Sequence, residues 1–207
     1  MTLSQTLSAA ANPQGDPQVA NALMIDLETL ATTPRAAVLQ AGWCVFELNA
    51  GLTSAATVTG NQVNVDLDSC RRAGGEFSDS TIRWWLNRPK ETQASVAAPG
   101  IPISNALTLL FDAYAQGRCS TVWAHGSVFD LPIVEHYARA CGLPVPWRFW
   151  NVRDTRTLFA AAEATEWSRP MAETAHTALA DAVSQARDVQ SAWAWVTVRA
   201  GAVKIIP

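Results

Sequence analysis

Two carboxylates, Asp26 and Glu28, stand two residues apart at the end of a short apolar run beginning at Ala22. If that run is a strand, side chains at i and i+2 emerge on one face, so both acids converge at its C-terminal end. Anions set against apolar surface are costly unless something positive joins them, and a divalent cation is the usual partner of clustered hard oxygens. For this pair alone, two solvated acids at a strand end are the alternative. Asp130 lies in Val-Phe-Asp-Leu, where a strand gives way to a helix. By itself it would serve as a helix N-cap. His176 and Asp181 fall in His-Thr-Ala-Leu-Ala-Asp at the opening of the last long helix. An imidazole with an ordinary pKa of about 6.5 suits proton transfer, and an acid in the first turns is favoured by the helix dipole. A structural histidine and a solvated acid are the bland readings of those two.

The elements that must position these groups follow from patterning. Ala22 to Asp26 lacks alternation and suits a central strand covered on both faces. Val38 to Leu48 predicts a second strand, Asn49-Ala50-Gly51 a turn into a third near Ala55 to Thr59, and Gln62 to Val65 a further extended piece. Ser69 to Ser78 reads as a loop. Thr81 to Asn87 predicts a helix after caps at Ser78 or Asp79, ending before Pro89. Ile103, Leu107, Leu110, Phe111 and Tyr114 recur at helical spacing. Ser120 to His125 is strand-like, Asp130 to Cys141 helical, and Asp154-Thr155 a helix cap. Ala182, Ala186, Val189, Trp193 and Val196 form one apolar stripe of a final helix. Strands first, then strands alternating with helices, give an α/β class with a mixed sheet. Residues 1–20, polar and punctuated by Pro and Gly, predict a loose tail, with a single domain over 21–207.

Composition limits the functions. The 207 residues are 49% hydrophobic and 16% charged, with a formal charge of −3. No general polycation is present to coat nucleic acid or membrane. No apolar stretch reaches the length of a membrane span, and the absence of Lys or Arg before Arg35 argues against a secretory signal, so a cytoplasmic protein is expected. Cys44, Cys70, Cys119 and Cys141 form no Cys-x-x-Cys pair and are expected as reduced, mostly buried thiols. Nine tryptophans offer core mass first and base-stacking surface second.

Asp-x-Glu at 26 and 28, Phe129-Asp130, and His-x4-Asp at 176 and 181 together resemble the three exonuclease motifs of the DEDDh superfamily. Ser80 to Trp85 and Phe149 to Thr157 further resemble segments of the Dex-type 3′→5′ exodeoxyribonucleases of tailed bacteriophages, over about residues 22–195. The resemblance implies a ribonuclease-H-like mixed sheet flanked by helices. It also implies two divalent cations, Mg²⁺ or Mn²⁺. Asp26 would bridge them, Glu28 and Asp181 would complete one site, and Asp130 would support the other. His176 would be the general base. The implied partner is a nucleic acid with a free 3′ end, DNA favoured over RNA, acted on in the cytoplasm (the host's, if the chain is phage-encoded). No membrane is implied, and a homodimer is among the assemblies found in relatives. Implied substrate contacts are Thr29 and Leu30 after the first motif, Phe129 as a stacking ring, Trp85 of the adjacent pair Trp84-Trp85, and Arg153 toward phosphate. Core packing for Phe129 and Trp85, and a structural role for Arg153 and Arg156, are the alternatives. One departure stands out: relatives often carry Asn where this chain has Gly126. An exoribonuclease, or a catalytically silent nucleic-acid-binding protein, are the competing functions.

Overall fold

The computed structural model describes residues 21–49, 58–169 and 177–202. The expected tail over 1–20, the turn at 50–51, the start of the expected third strand at 55–57 and His176 lie outside these. The sheet has five strands in the order β3-β2-β1-β4-β5. They are β1 (Asn21–Thr29), β2 (Val38–Glu47), β3 (Thr59–Asn64), β4 (Thr121–Ala124) and β5 (Val152–Asp154). β2 pairs antiparallel with β1 and β3, whereas β1, β4 and β5 run parallel, so the sheet is mixed as expected.

β1 sorts its residues by parity. Leu23, Ile25 and Leu27 enter one core, with Leu107 and Leu110 of α4 (Ile103–Gln116) and Ile133 and Tyr137 of α5 (Ser127–Ala140). Ala22 and Met24 face the other core, with Phe159 of α6 (Thr155–Glu163) and Ala182, Ala186, Val189 and Ala192 of α7 (Ala178–Ala202). Period-two alternation therefore puts Asp26 and Glu28 on the α7 side. The small residues of the α7 stripe let that helix lie close to the sheet.

Contact is closest at Gly42, which is paired with Asp26 across the β1–β2 ladder. A Cβ there would stand 2.1 Å from the Ala178 carbonyl carbon and 2.4 Å from the Leu179 nitrogen. Two glutamines complete the seat. Gln40 Oε1 accepts from Ala178 N–H at 2.9 Å, and Gln62 Oε1 accepts from Leu179 N–H at 3.1 Å. These amides lead a helix and have no partner within it, so side chains of β2 and β3 supply what a local cap otherwise would.

Several local expectations are corrected. The region expected as a loop over Ser69 to Ser78 begins inside α1 (Leu67–Arg72), because Asp66 caps it by accepting from the Asp68 and Ser69 amides. The extended piece at Gln62 to Val65 and the end of the expected third strand belong to one strand, β3. α2 (Asp79–Leu86) starts two residues earlier than expected, with Ser78 at the N-cap. α3 (Lys90–Ala97) and β5 were not expected; α3 buries only Val96, and β5 has three residues, so neither carries a readable period. α5 begins at Ser127, not Asp130, so Asp130 is no cap. Gly126 precedes the helix at φ +94°, a conformation that favours glycine over the asparagine of relatives. Asp154 does cap α6, accepting from Arg156 N–H, and it also accepts from Ser127 N–H and Oγ, which ties the start of α5 to α6. All four cysteines are free, three buried and Cys141 half-buried.

Gly42→Ala should therefore lift the start of α7 and destabilise the protein by about 1–3 kcal/mol, read by denaturant unfolding. Wild-type stability in that variant would mean that the close seat at Gly42 does not constrain α7.

Candidate active site

Asp26, Glu28 and Asp181 each offer a carboxylate oxygen, and the three oxygens lie within 4.8 Å of one another. Their side chains are partly buried at the C-terminal end of β1 and in the first turn of α7. Asp130 arrives from the other layer, at the start of α5, and is 4% exposed. Its Oδ1 accepts from Leu27 N–H at 3.1 Å, so it is anchored on the strand backbone between the two β1 acids. It is not one of the close trio, yet it shares their field.

Burial and mutual repulsion both act against charge here. Burial, and secondarily Asp181, push the Asp26 carboxyl up to about 7 against the lowering effect of a Gln185 hydrogen bond. Burial pushes Glu28 up to about 8, with Asp26 and Asp181 adding to the rise. Burial, then the charge of Asp26, holds Asp130 well above the usual carboxylate range. Converging hard oxygens that cannot all ionise together are what a divalent cation relieves, so the donor set fits such an ion. Without one, protons take its place.

Gln185 was not anticipated. One helical turn beyond Asp181, it is 7% exposed, and its Nε2 donates to Asp26 Oδ1 at 2.8 Å. Its Oε1 is buried with no hydrogen-bond partner. The i, i+4 spacing from Asp181 was a signal only in retrospect, because a glutamine on a helix has no distinctive pattern until the partner strand is known.

Of the expected substrate contacts, Thr29 and Leu30 are both buried. Thr29 Oγ1 donates to Ala31 O, and Trp85 Nε1 donates to Thr29 O at 2.8 Å. Trp85 is thus the buried member of its pair, at 6% exposure, and Trp84, beneath the Arg88 guanidinium, is the exposed one. Leu30 and Trp85 line an apolar cleft of about 620 Å³ with Leu39, Phe77, Ile82 and Val96. Phe129 is half-buried against the larger core. Arg153 is exposed on β5, separated from β1 by β4, and Arg156 lies beside Gly126. His125 is bonded to Thr155 at 2.7 Å, consistent with a structural role.

Residues 21–193 match the model of the Rv2179c-like domain, described as a 3′-5′ exoribonuclease domain. An exodeoxyribonuclease of Enterobacteria phage T4 is 27% identical over an alignment 156 residues long that covers 65% of this chain and 68% of the relative. Among solved structures, the nuclease domain of 3′hExo, a DEDDh family member bound to rAMP, superposes with a TM-score of 0.53 at 14% identity, covering 90% of this chain and 96% of that one. A full-length 3′-exonuclease gives 0.53 at 13% identity, covering 88% and 83%. These structures share the fold, the ribonuclease-H-like architecture the motifs implied.

The raised carboxyls fix a pH dependence. Asp26 and Glu28 hold protons in the metal-free fold that the unfolded chain releases, so their stabilisation is complete below their ordinary range and is lost as pH climbs through about 7 and about 8. Melts in chelator should show Tm falling between about pH 5 and about pH 8, at up to about 1.4 kcal/mol per pH unit per group. Mn²⁺ should raise Tm at the upper pH more than at the lower, and Asp26→Asn should make the metal-free protein more stable at the upper pH. A Tm independent of both pH and cation would contradict the charge assignment. Gln185→Ala should weaken Mn²⁺ binding about tenfold or more by calorimetric titration, through loss of the hydrogen bond that orients Asp26.

Proposed function

Since the chain belongs to the Rv2179c-like family of 3′-5′ exoribonuclease domains, and is thus a 3′→5′ exonuclease of DEDDh type, we propose that it removes nucleoside 5′-monophosphates from the 3′ end of single-stranded DNA. The observation that carries this reading is the convergence of Asp26, Glu28 and Asp181 oxygens within 4.8 Å beside the buried Asp130.

Asp26, Glu28 and Asp181 would hold one divalent cation, with Asp26 shared toward a second supported by Asp130, Mg²⁺ or Mn²⁺ fitting the all-oxygen donors. Such a pair supplies charge neutralisation at the scissile phosphate and at the leaving 3′ oxygen, together with activation of water. Four carboxylates are matched in formal charge by two divalent ions, which is how an acidic protein receives a polyanion. His176 takes the proton of the attacking water as general base. Gln185 keeps the Asp26 carboxylate turned toward the cation site. Leu30 and Trp85 receive the terminal nucleoside along the apolar cleft, Thr29 contributes its backbone there, and Phe129 stacks on a base. Arg153 meets phosphate further along the strand. The reading includes a cytoplasmic enzyme, and it leaves a homodimer compatible with the site. Among the described residues no helix is long and apolar enough to cross a membrane.

DNA is favoured by the relative named an exodeoxyribonuclease. RNA is the second reading, favoured by the description of the family model. Matched DNA and RNA oligonucleotides, single-stranded and duplex, digested with and without chelator, separate the two. The expected result is cation-dependent release of mononucleotides, faster from single-stranded DNA. Faster RNA cleavage under every cation condition would transfer the assignment to an exoribonuclease. Asp26→Ala should abolish turnover, and His176→Ala should lower kcat by roughly 10²–10⁴-fold. At saturating cation the wild-type rate should rise with pH and then level off, as a general base that must be unprotonated requires. Wild-type rates in both variants would remove the site from the reaction.

A further inference from the structure

Phe149 and Trp150, on the 3-10 turn Phe149–Asn151 that leads into β5, are among the most exposed large side chains in the described structure, at 82% and 60%. Neither the core nor the carboxylate site uses them. The turn is held firmly: Asn151 Nδ2 donates to Ser120 O at the start of β4, and Arg153 Nη1 donates to the carbonyls of Trp150 at 2.7 Å and Val152 at 2.9 Å. The two rings meet edge to face, with centroids 4.7 Å apart. The Arg148 guanidinium lies 6.0 Å from the Trp150 centroid. Among the described residues, neither Arg148 nor Arg153 has a carboxylate within ion-pair distance. The surface is therefore a fixed aromatic platform flanked by unneutralised guanidinium groups.

That combination matches single-stranded nucleic acid, whose bases stack on rings and whose phosphates pair with arginine. It matches a second copy of this chain poorly, because a two-fold contact through this patch would bring its own arginines together. The patch also stands in register with the site. Ile25 of β1, Ala124 of β4 and Asp154 of β5 are level across the parallel ladders. Val152, where the turn meets β5, is level with Leu23, three residues or about 10 Å below Asp26 along the strands, and two strand spacings, about 10 Å, to the side. Arg156, beside Gly126 at the level of the site, and Arg153 mark the way between them.

Resting on the exonuclease reading above, we propose that Phe149 and Trp150, with Arg148 and Arg153, form a remote strand-holding surface that stacks bases several nucleotides upstream of the 3′ end. A trinucleotide seated at Asp26 does not reach it; a 20-mer does. The test compares kcat/KM for oligothymidylates of 3 and 20 residues with Mg²⁺, and anisotropy of the labelled 20-mer in chelator, for wild type and a Phe149→Ala/Trp150→Ala double variant. The double variant should lose roughly tenfold in kcat/KM on the 20-mer, through KM, so that the advantage of the long strand over the short one collapses. Its affinity for the 20-mer in chelator should fall by a similar factor. Trp150→Phe, which keeps a stacking face, should retain most of both. An unchanged length dependence and affinity would overturn the proposal, as would a wild-type dimer that the double variant turns into a monomer by light scattering. Failure of the wild type to hydrolyse any strand would instead defeat the exonuclease reading, and the anisotropy would still report on the patch.

Discussion

The seat of α7 on the sheet is the contact on which the site depends. Asp181 can stand beside Asp26 and Glu28 only if the leading turn of a helix descends onto β2, and three residues allow it. Gly42 leaves the space, while Gln40 and Gln62 accept the Ala178 and Leu179 amides. Gln40 is wholly buried, and its own Nε2 is taken by Asn64 Oδ1 on β3. Helix amides without partners are expensive to bury, so these bonds set where the helix begins as well as where it lies. The same helix carries Gln185 to Asp26 and closes the second core with its alanines.

Against this steric precision stands an electrostatic tension. The fold gathers acids from both sides of β1 into a place where they resist ionising together. Asp130 comes from the layer opposite α7, so the field at β1 is built from two helices and the strand itself. The ends of the parallel strands thus concentrate negative potential that an entering cation, and after it a phosphate, can use. In the proposed reading, specificity for the polymer comes from outside that cluster, from the apolar cleft beside Leu30 and Trp85 and from Arg153 on β5.

The carboxylates were legible in the sequence because their spacing has a geometric meaning. Two residues apart in a strand means one face, and the alternation of β1 bears that out for Asp26 and Glu28. Asp130 and Asp181 were recognised through motif order, and the structure brings both to β1. Asp130, expected to be a cap if it stood alone, proves to be an anchor because α5 starts three residues earlier, at Ser127. Gln40, Gln62 and Gln185 were not legible. Their roles exist only across separations of more than a hundred residues, where one sequence carries no signal. Long amphipathic helices and the apolar central strands could be read; the polar edge strand β3, without a buried face, was read only as two separate pieces, and α3 and β5, being short, could not be read. The lesson of Trp84 and Trp85 is similar. Adjacent indoles on a helix point in different directions, and only the Thr29 carbonyl decides which of them turns inward.

The Gln185–Asp26 bond spans 159 residues and the Gln40–Ala178 bond 138. The acids of β1 and their partner on α7 are thus joined across most of the domain, and closing that loop is a long-range step of folding. A chain lacking α7 would lose both Asp181 and Gln185, and with them one of the three converging carboxylates and the hydrogen bond on another.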